Sequence, residues 1–159
     1  MGGNHDREDS QRATVEPGTS YYTYTVYKAL ENLCKAAGLD NVEFVIPKEA
    51  YHIYEVYGSH FLVEHGDLMK NNSSNTIENH LMRRSAQADK ILQGIRFGHY
   101  HVDRIEYLGR YIGNGSLVSD DHYSDGLGYT NRPCQIINYY VETKNRDTSY
   151  YHSFAVYLD

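Results

Sequence analysis

The sequence predicts a mixed α/β fold, and three observations support that prediction. Apolar residues recur at helical spacing over residues 21–37. Short runs rich in valine, isoleucine and tyrosine follow, separated by glycine, proline and asparagine, as is typical of strands. Two longer strand-like segments, 135–141 and 150–158, lie on either side of the polar Asn145-Arg146-Asp147, which favours an antiparallel hairpin. Helices combined with antiparallel strand pairs indicate the mixed class.

The N-terminal part is predicted to contain a loop, one helix and three short strands. Glycine and polar residues over 2–7 indicate the loop. Ser20 is a suitable N-cap and Gly38 a suitable end for the helix between them. The apolar positions of that helix are Tyr22, Val26, Leu30, Leu33 and Ala37. The strands are expected at 42–46, 51–57 and 61–64, with turns at Pro47 and Gly58.

The remainder of the chain is predicted to contain one helix and several strands. Thr76 is suited to cap a helix that runs to about Leu92. The strands are expected at 95–97, 102–108, 110–112, 116–118, 135–141 and 150–158. A chain of 159 residues suits one domain, which we place over residues 1–159.

The composition narrows the classes of function. A formal net charge of −6 opposes a broad nucleic-acid interface, although bound divalent ions reverse the charge locally. The 17 tyrosines supply apolar area, and each buried hydroxyl needs a hydrogen-bond partner. Cys34 and Cys134 lie in apolar segments and are expected to be buried thiols in a reducing compartment. With no run of ~20 apolar residues and no leader pattern, we expect a cytoplasmic protein.

Three segments carry side chains that suit metal ions. They are Gly3-Asn4-His5-Asp6, His65-Gly66-Asp67 and Gly98-His99-Tyr100-His101. Their nitrogen and oxygen donors are typical ligands of Zn, Mn and Fe. At this histidine content, the number of H-x-H motifs expected by chance in such a chain is roughly 0.5. The corresponding numbers are on the order of 0.04 for G-H-x-H and on the order of 0.003 for G-N-H-D. Only the longer motifs are therefore informative.

Each segment also has a purely structural interpretation. A lone histidine such as His65 is more often a satisfied polar side chain than a ligand, and asparagine with aspartate favours a simple turn. The positions of His65 and Gly98 favour the metal-binding interpretation, because each residue follows a predicted strand and functional sites are built at strand ends. If the backbone stays extended there, His99 and His101 point to the same side and face one cavity.

The three segments, in this order, resemble the last three of five signature motifs of the calcineurin-like metallophosphoesterases. The resemblance spans nearly the whole chain. It implies half of an α/β/β/α sandwich with mixed sheets, and the hydrolysis of phosphate esters. Asn114-Gly115-Ser116-Leu117 and Gly126-Leu127-Gly128 are similar to segments of phage-encoded members, which implies the cytoplasm of a host cell.

The resemblance also implies a role for each motif residue. Asn4, His65 and His99 would bind one metal ion. His101 would bind a second ion. Manganese is the expected metal, with zinc or iron as alternatives. Two such ions activate water and polarise a phosphate.

The family's substrate-side residues would be His5 and Asp6. His5 would contact the phosphate or protonate the leaving oxygen, and Asp6 would orient it. A histidine held by a carboxylate is a suitable proton donor for an alkoxide leaving group.

This chain departs from the family pattern at its start. The first two motifs, D-x-H and G-D-x-x-D, should precede G-N-H-D, and residue 3 already lies inside the third motif. We therefore expect a missing N-terminal half that supplies them, with two ions bound when the halves combine and one without it. Alternatively, the chain is a degenerate metal-binding or scaffold module. Nuclease and small-molecule phosphodiesterase activities both stay open, as does a homo-oligomer.

Overall fold

The computed structural model describes residues 3–4, 6, 22–119, 126, 132–142 and 150–158. The chain divides into two compact units, residues 1–52 and residues 53–159. The single domain over residues 1–159 stays a prediction.

The first unit contains helix α1, Tyr22–Ala36, which confirms the helix predicted over 21–37. Its C-terminus is closed by two backbone bonds, from Gly38 N to Lys35 O and from Leu39 N to Cys34 O. Gly38 makes them possible because its φ of 70° is a left-handed conformation that glycine adopts without strain. The predicted N-cap, Ser20, lies outside the described residues. The predicted strand at 42–46 is wrong, because that stretch is irregular and belongs to neither of the sheets that the described residues form.

The second unit is built on a five-stranded sheet. Its strands are β1 (Tyr51–Val56), β2 (Ser59–Glu64), β3 (Leu92–Phe97), β4 (Arg104–Glu106) and β5 (Tyr111–Gly113). They lie in the order β1-β2-β3-β5-β4. The β2–β3 and β3–β5 pairs are parallel and the β4–β5 pair is antiparallel, so the sheet is mixed. β1 and β2 are joined by Tyr57 and Gly58, both at positive φ as a type I′ hairpin turn requires.

Helix α2, Ser74–Ala88, connects the parallel strands β2 and β3. Ser73 caps it by accepting a hydrogen bond from the backbone N–H of Thr76. The predicted start at Thr76 is therefore late, because the cap lies three residues earlier. The predicted end near Leu92 is also wrong, since Asp89 ends the helix at a φ of 50° and Leu92 begins β3.

The core of the second unit joins this sheet to α2. Its fully buried apolar side chains include Phe61, Leu62, Ile77, Leu81, Ile95 and Ile112. The tyrosines contribute as predicted: Tyr54 stacks on Phe61 with centroids 5.5 Å apart, and the Tyr54 and Tyr140 hydroxyls are 2.7 Å apart. Burial raises the pKa of Tyr54 well above its usual value, so its hydroxyl stays protonated.

A second sheet is the predicted hairpin of β6 (Cys134–Val141) and β7 (Tyr150–Tyr157). The two strands pair antiparallel along their length, from Cys134 opposite Tyr157 to Val141 opposite Tyr150. Two other predicted strands differ. Residues 102–108 form only the short β4, because Tyr107–Gly109 turns as a 3-10 helix. Residues 116–118 are irregular.

The mixed α/β class is thus confirmed by mixed strand directions and by two α-helices among the residues that the structure describes. Within the part of the chain that the structure describes, no helix has both the length and the apolar character needed to span a bilayer.

Candidate functional site

The candidate site lies where two parallel strands end. β2 and β3 run side by side in the same direction, and their last residues, Glu64 and Phe97, are paired. The residues that follow each strand therefore meet at one edge of the sheet. His65 follows β2, and Gly98 with His99 follows β3.

Two of the predicted metal ligands are brought together there. The backbone N–H of Gly98 donates to the carbonyl of His65 at 2.9 Å. The imidazole rings of His65 and His99 have centroids 5.1 Å apart and are inclined by 67°. Both side chains are half-buried. Two imidazole rings 34 positions apart in the sequence thus lie next to each other at one edge of the sheet.

The backbone that carries His99 is strained. His99 has a φ of 68°, and the N–H of Tyr100 donates to the carbonyl of Gly98 at 2.8 Å across it. This is the uncommon γ-turn with positive φ at its centre. His101 also has a positive φ, 56°. Non-glycine residues in such conformations cost about 1–3 kcal/mol each and cluster at functional sites.

The same turn corrects one expectation. β3 ends at Phe97, so residues 99–101 are not extended and strand alternation does not set the directions of His99 and His101. Positive φ at both residues reverses the local chain direction instead. His101 is exposed, whereas His99 is half-buried beside His65.

Gly66 permits the close approach of the two turns. Its φ is 108°, and a Cβ added there would lie 3.3 Å from the Gly98 carbonyl oxygen and 3.5 Å from the His99 Cβ. Any other residue would push the second turn away or strain the first. The sequence carried a signal for this role, because a glycine stands between His65 and Asp67.

Tyr100 contacts both turns. Its hydroxyl donates to the Met69 carbonyl at 3.3 Å, and its ring meets that of His99 edge-on with centroids 5.0 Å apart. Burial raises the pKa of the Tyr100 phenol, and the carboxylates of Asp67 and Glu64 raise it further. The hydroxyl is therefore a neutral donor at physiological pH.

A buried cluster of Glu64, His80 and Arg84 lies behind the end of β2. Glu64 has a side chain 1% exposed, and His80 of α2 places its Nε2 within 3.0 Å of both carboxylate oxygens. Arg84 approaches the same carboxylate at 3.7 Å. No sequence motif marks this cluster, because Glu64 lies 16 residues before His80 and the two side chains meet only when α2 packs against the sheet. It anchors α2 to the strand that His65 follows.

The first motif lies in the other unit. The carboxylate of Asp6 accepts hydrogen bonds from the backbone N–H of Thr23, at 3.1 and 3.2 Å, and from its hydroxyl. The Asp6 carbonyl accepts from Tyr22 N at 3.0 Å. Asp6 therefore caps the N-terminus of α1, where a negative charge is favoured. Asn4 is half-buried, and His5 lies outside the described residues.

The histidine side chains at the strand ends would supply part of the ligand set of one divalent ion. Two neighbouring imidazoles suit Zn, Mn or Fe. Among the described residues, no three or more histidine, cysteine, aspartate or glutamate side chains form a group able to hold a metal ion. His65 and His99 would therefore supply two ligands, with the rest from an asparagine, water or another segment.

Comparison with known proteins identifies similar folds at low identity. Vps29 from Entamoeba histolytica, as a single mutant, is 12% identical with a TM-score of 0.42, and 74% of this chain covers 65% of that one. Wild-type Vps29 from the same organism, complexed with Zn²⁺, is 12% identical with a TM-score of 0.45, covering 73% and 67%. Vacuolar Protein Sorting 29 from Cryptosporidium parvum is 14% identical with a TM-score of 0.42, covering 69% and 58%.

The chain thus spans about two thirds or less of the length of these structures. No family model matches the sequence, and no curated protein matches it.

Proposed function

We propose that this chain is a metal-dependent phosphoesterase module of the calcineurin-like type, which hydrolyses phosphate mono- or diesters together with a partner segment. The observation that carries the proposal is the meeting of His65 and His99 at the ends of adjacent parallel strands, with imidazole centroids 5.1 Å apart. The strained turn at His99 supports it, since such conformations persist where a side chain must be held in one direction.

In this proposal the chain's own residues hold the metal ions. His65 and His99 bind one ion together with Asn4, and His101 binds the second. Manganese is proposed, with zinc or iron as alternatives that imidazole ligands also suit. When bound, such ions supply an activated water and polarise the phosphate. The Glu64–His80 pair fixes the end of β2 and so the position of His65.

His5 is proposed to donate the proton to the leaving oxygen. Its loss then matters most for a poor leaving group. His5→Gln in an active assembly should slow an alkyl phosphodiester far more than an aryl ester with an acidic phenol. Equal losses on both substrates would indicate phosphate positioning instead.

A partner segment carrying D-x-H and G-D-x-x-D completes the proposed site. It contributes the carboxylate donors that the described residues of this chain do not group around His65 and His99. The net charge of −6 favours small phosphodiesters over nucleic acid as substrates.

The test is metal uptake by the chain itself. His99→Ala should remove most binding of Mn²⁺ or Zn²⁺ at pH 7.5, measured by titration calorimetry. His60→Ala is the matched control, because His60 lies at the opposite end of β2 and pairs with Glu55. Binding should weaken below about pH 6.5, where free imidazole becomes protonated. Unchanged uptake by His99→Ala would refute the ligand assignment.

A non-catalytic metal-binding or scaffold module is the second candidate. One observation favours it: the Asp6 carboxylate, which the catalytic proposal assigns to orient His5, is engaged by the N-terminus of α1. Mixing the chain with a segment that carries the first two motifs, in the presence of Mn²⁺, separates the two. Restored phosphodiesterase activity supports the enzyme, and a tight but inactive complex supports the scaffold.

A further inference from the structure

We propose that Tyr100 is a positioning residue that clasps the two histidine-bearing turns together. Its hydroxyl and its ring act at different points, and together they hold the His99 imidazole beside that of His65. The relevance to metal binding rests on the function proposed above, whereas the clasp itself is a property of the metal-free chain.

The backbone alone links the turns near their base. Gly98 N donates to His65 O, the first residue beyond each strand, at 2.9 Å. Met69 belongs to the turn after His65, because its N–H donates to the Gly66 carbonyl at 3.1 Å. The Tyr100 hydroxyl bonds to the carbonyl of this same Met69 at 3.3 Å. It therefore adds a second link between the two turns, between residues 31 positions apart.

The ring of Tyr100 supports His99 from one side. It meets the Phe97 ring edge-on, with centroids 6.1 Å apart, and the His99 ring with centroids 5.0 Å apart. His99 in turn meets His65 at 5.1 Å. Edge-to-face contacts at these separations are favourable and directional. Phe97 is buried at the end of β3. Its ring contacts Tyr100, the Tyr100 ring contacts His99, and the His99 ring contacts His65. These successive contacts therefore hold both imidazoles in place relative to the sheet.

The clasp explains how a strained turn persists. The positive φ values of His99 and His101 flank Tyr100, so relaxation of either residue would swing the phenol away from Met69. The hydrogen bond and the ring contacts oppose that movement. A residue with a hydroxyl but no ring, or a ring but no hydroxyl, supplies only half of this restraint.

The experiment compares Tyr100→Phe with wild type and with Tyr139→Phe, a control on β6 where the tyrosine is 62% exposed. Amide hydrogen exchange of the metal-free chain is measured at Gly98 and at Ile95. Loss of one hydrogen bond should speed exchange at Gly98 about 2- to 10-fold. Ile95 of β3, bonded to the carbonyl of Arg110 immediately before β5, reports global opening and should not change.

Zinc affinity, measured by calorimetry on the same three proteins, should fall by a similar factor only in Tyr100→Phe. Unchanged exchange at Gly98 in Tyr100→Phe would overturn the clasp. Equal acceleration of exchange at Gly98 and Ile95 would also overturn it, because it would report a general loss of stability. If wild type binds no zinc through His65 and His99, the proposed function fails, and the exchange data still decide the clasp.

Discussion

Gly66 and Gly58 offer a matched pair of substitutions that isolates the contact between the two turns. Both have positive φ, 108° and 80°. A Cβ at Gly58 would meet nothing within 4 Å, whereas at Gly66 it would lie 3.3 Å from the Gly98 carbonyl oxygen. Gly58→Ala therefore reports backbone strain alone, and Gly66→Ala reports strain plus a steric contact at the candidate site.

The magnitudes follow from these two effects. A left-handed conformation costs an alanine about 1–2 kcal/mol, and the reduced entropy of the unfolded chain offsets about 0.4–1 kcal/mol of that. Gly58→Ala should then lower the unfolding free energy by about 1 kcal/mol. Overpacking against backbone typically adds about 1–3 kcal/mol, so Gly66→Ala should lose about 2–4 kcal/mol. The φ of 108° at Gly66 lies beyond the left-handed well and increases the difference.

The assay is urea unfolding followed by far-UV circular dichroism, with equal m-values required for comparison. Zinc affinity is measured on the same samples. Gly66→Ala should weaken zinc binding because the added methyl displaces the turn that carries His99, and Gly58→Ala should leave it unchanged. Equal destabilisation by the two substitutions, with equal zinc affinity, would show that the two turns are not in close contact.

Two further predictions concern buried groups. His80→Ala should lower the unfolding free energy by about 3 kcal/mol, because it leaves the Glu64 carboxylate buried without its nearest partner. The measurement is urea unfolding, and a loss of unfolding free energy below about 1 kcal/mol would contradict the prediction. Iodoacetamide at pH 8 should modify Cys34 but not Cys134 in the folded chain, as read by mass spectrometry. Cys34 is only half-buried, so the expectation of a buried thiol there is wrong, whereas Cys134 is 1% exposed and burial raises its thiol pKa. Rapid labelling of both cysteines would contradict this prediction.

The elements predicted well are those whose residues carry their own pattern. Helix α1 has helical periodicity and a glycine stop, and β6 with β7 are long alternating segments around a polar turn. Residues 42–46 have the composition of a strand. A strand also requires a partner strand to which its backbone hydrogen-bonds, and local composition does not indicate whether one is present. Ser73 and Thr76 are both suitable N-cap residues by type, so the sequence did not decide which of them begins α2.

The meeting of His65 and His99 was predictable from the sequence, and the local geometry around them only in part. Parallel pairing of β2 with β3 brings His65 to His99, as expected for motifs that follow strands. The turn at His99 was not foreseen, because positive φ at a non-glycine residue is imposed by tertiary contacts rather than by propensity. The contacts of Tyr100 were not predictable from the local pattern, since its link to Met69 joins segments 31 residues apart.

The most direct test of the metal site is X-ray absorption at the zinc edge on the chain loaded with one equivalent of Zn²⁺, repeated with His65→Ala and His99→Ala. Imidazole scattering counts the histidines on the ion. We expect at least two imidazoles in wild type and one fewer in each variant. A spectrum that neither substitution changes would place the ion elsewhere and contradict a metal centre built on His65 and His99.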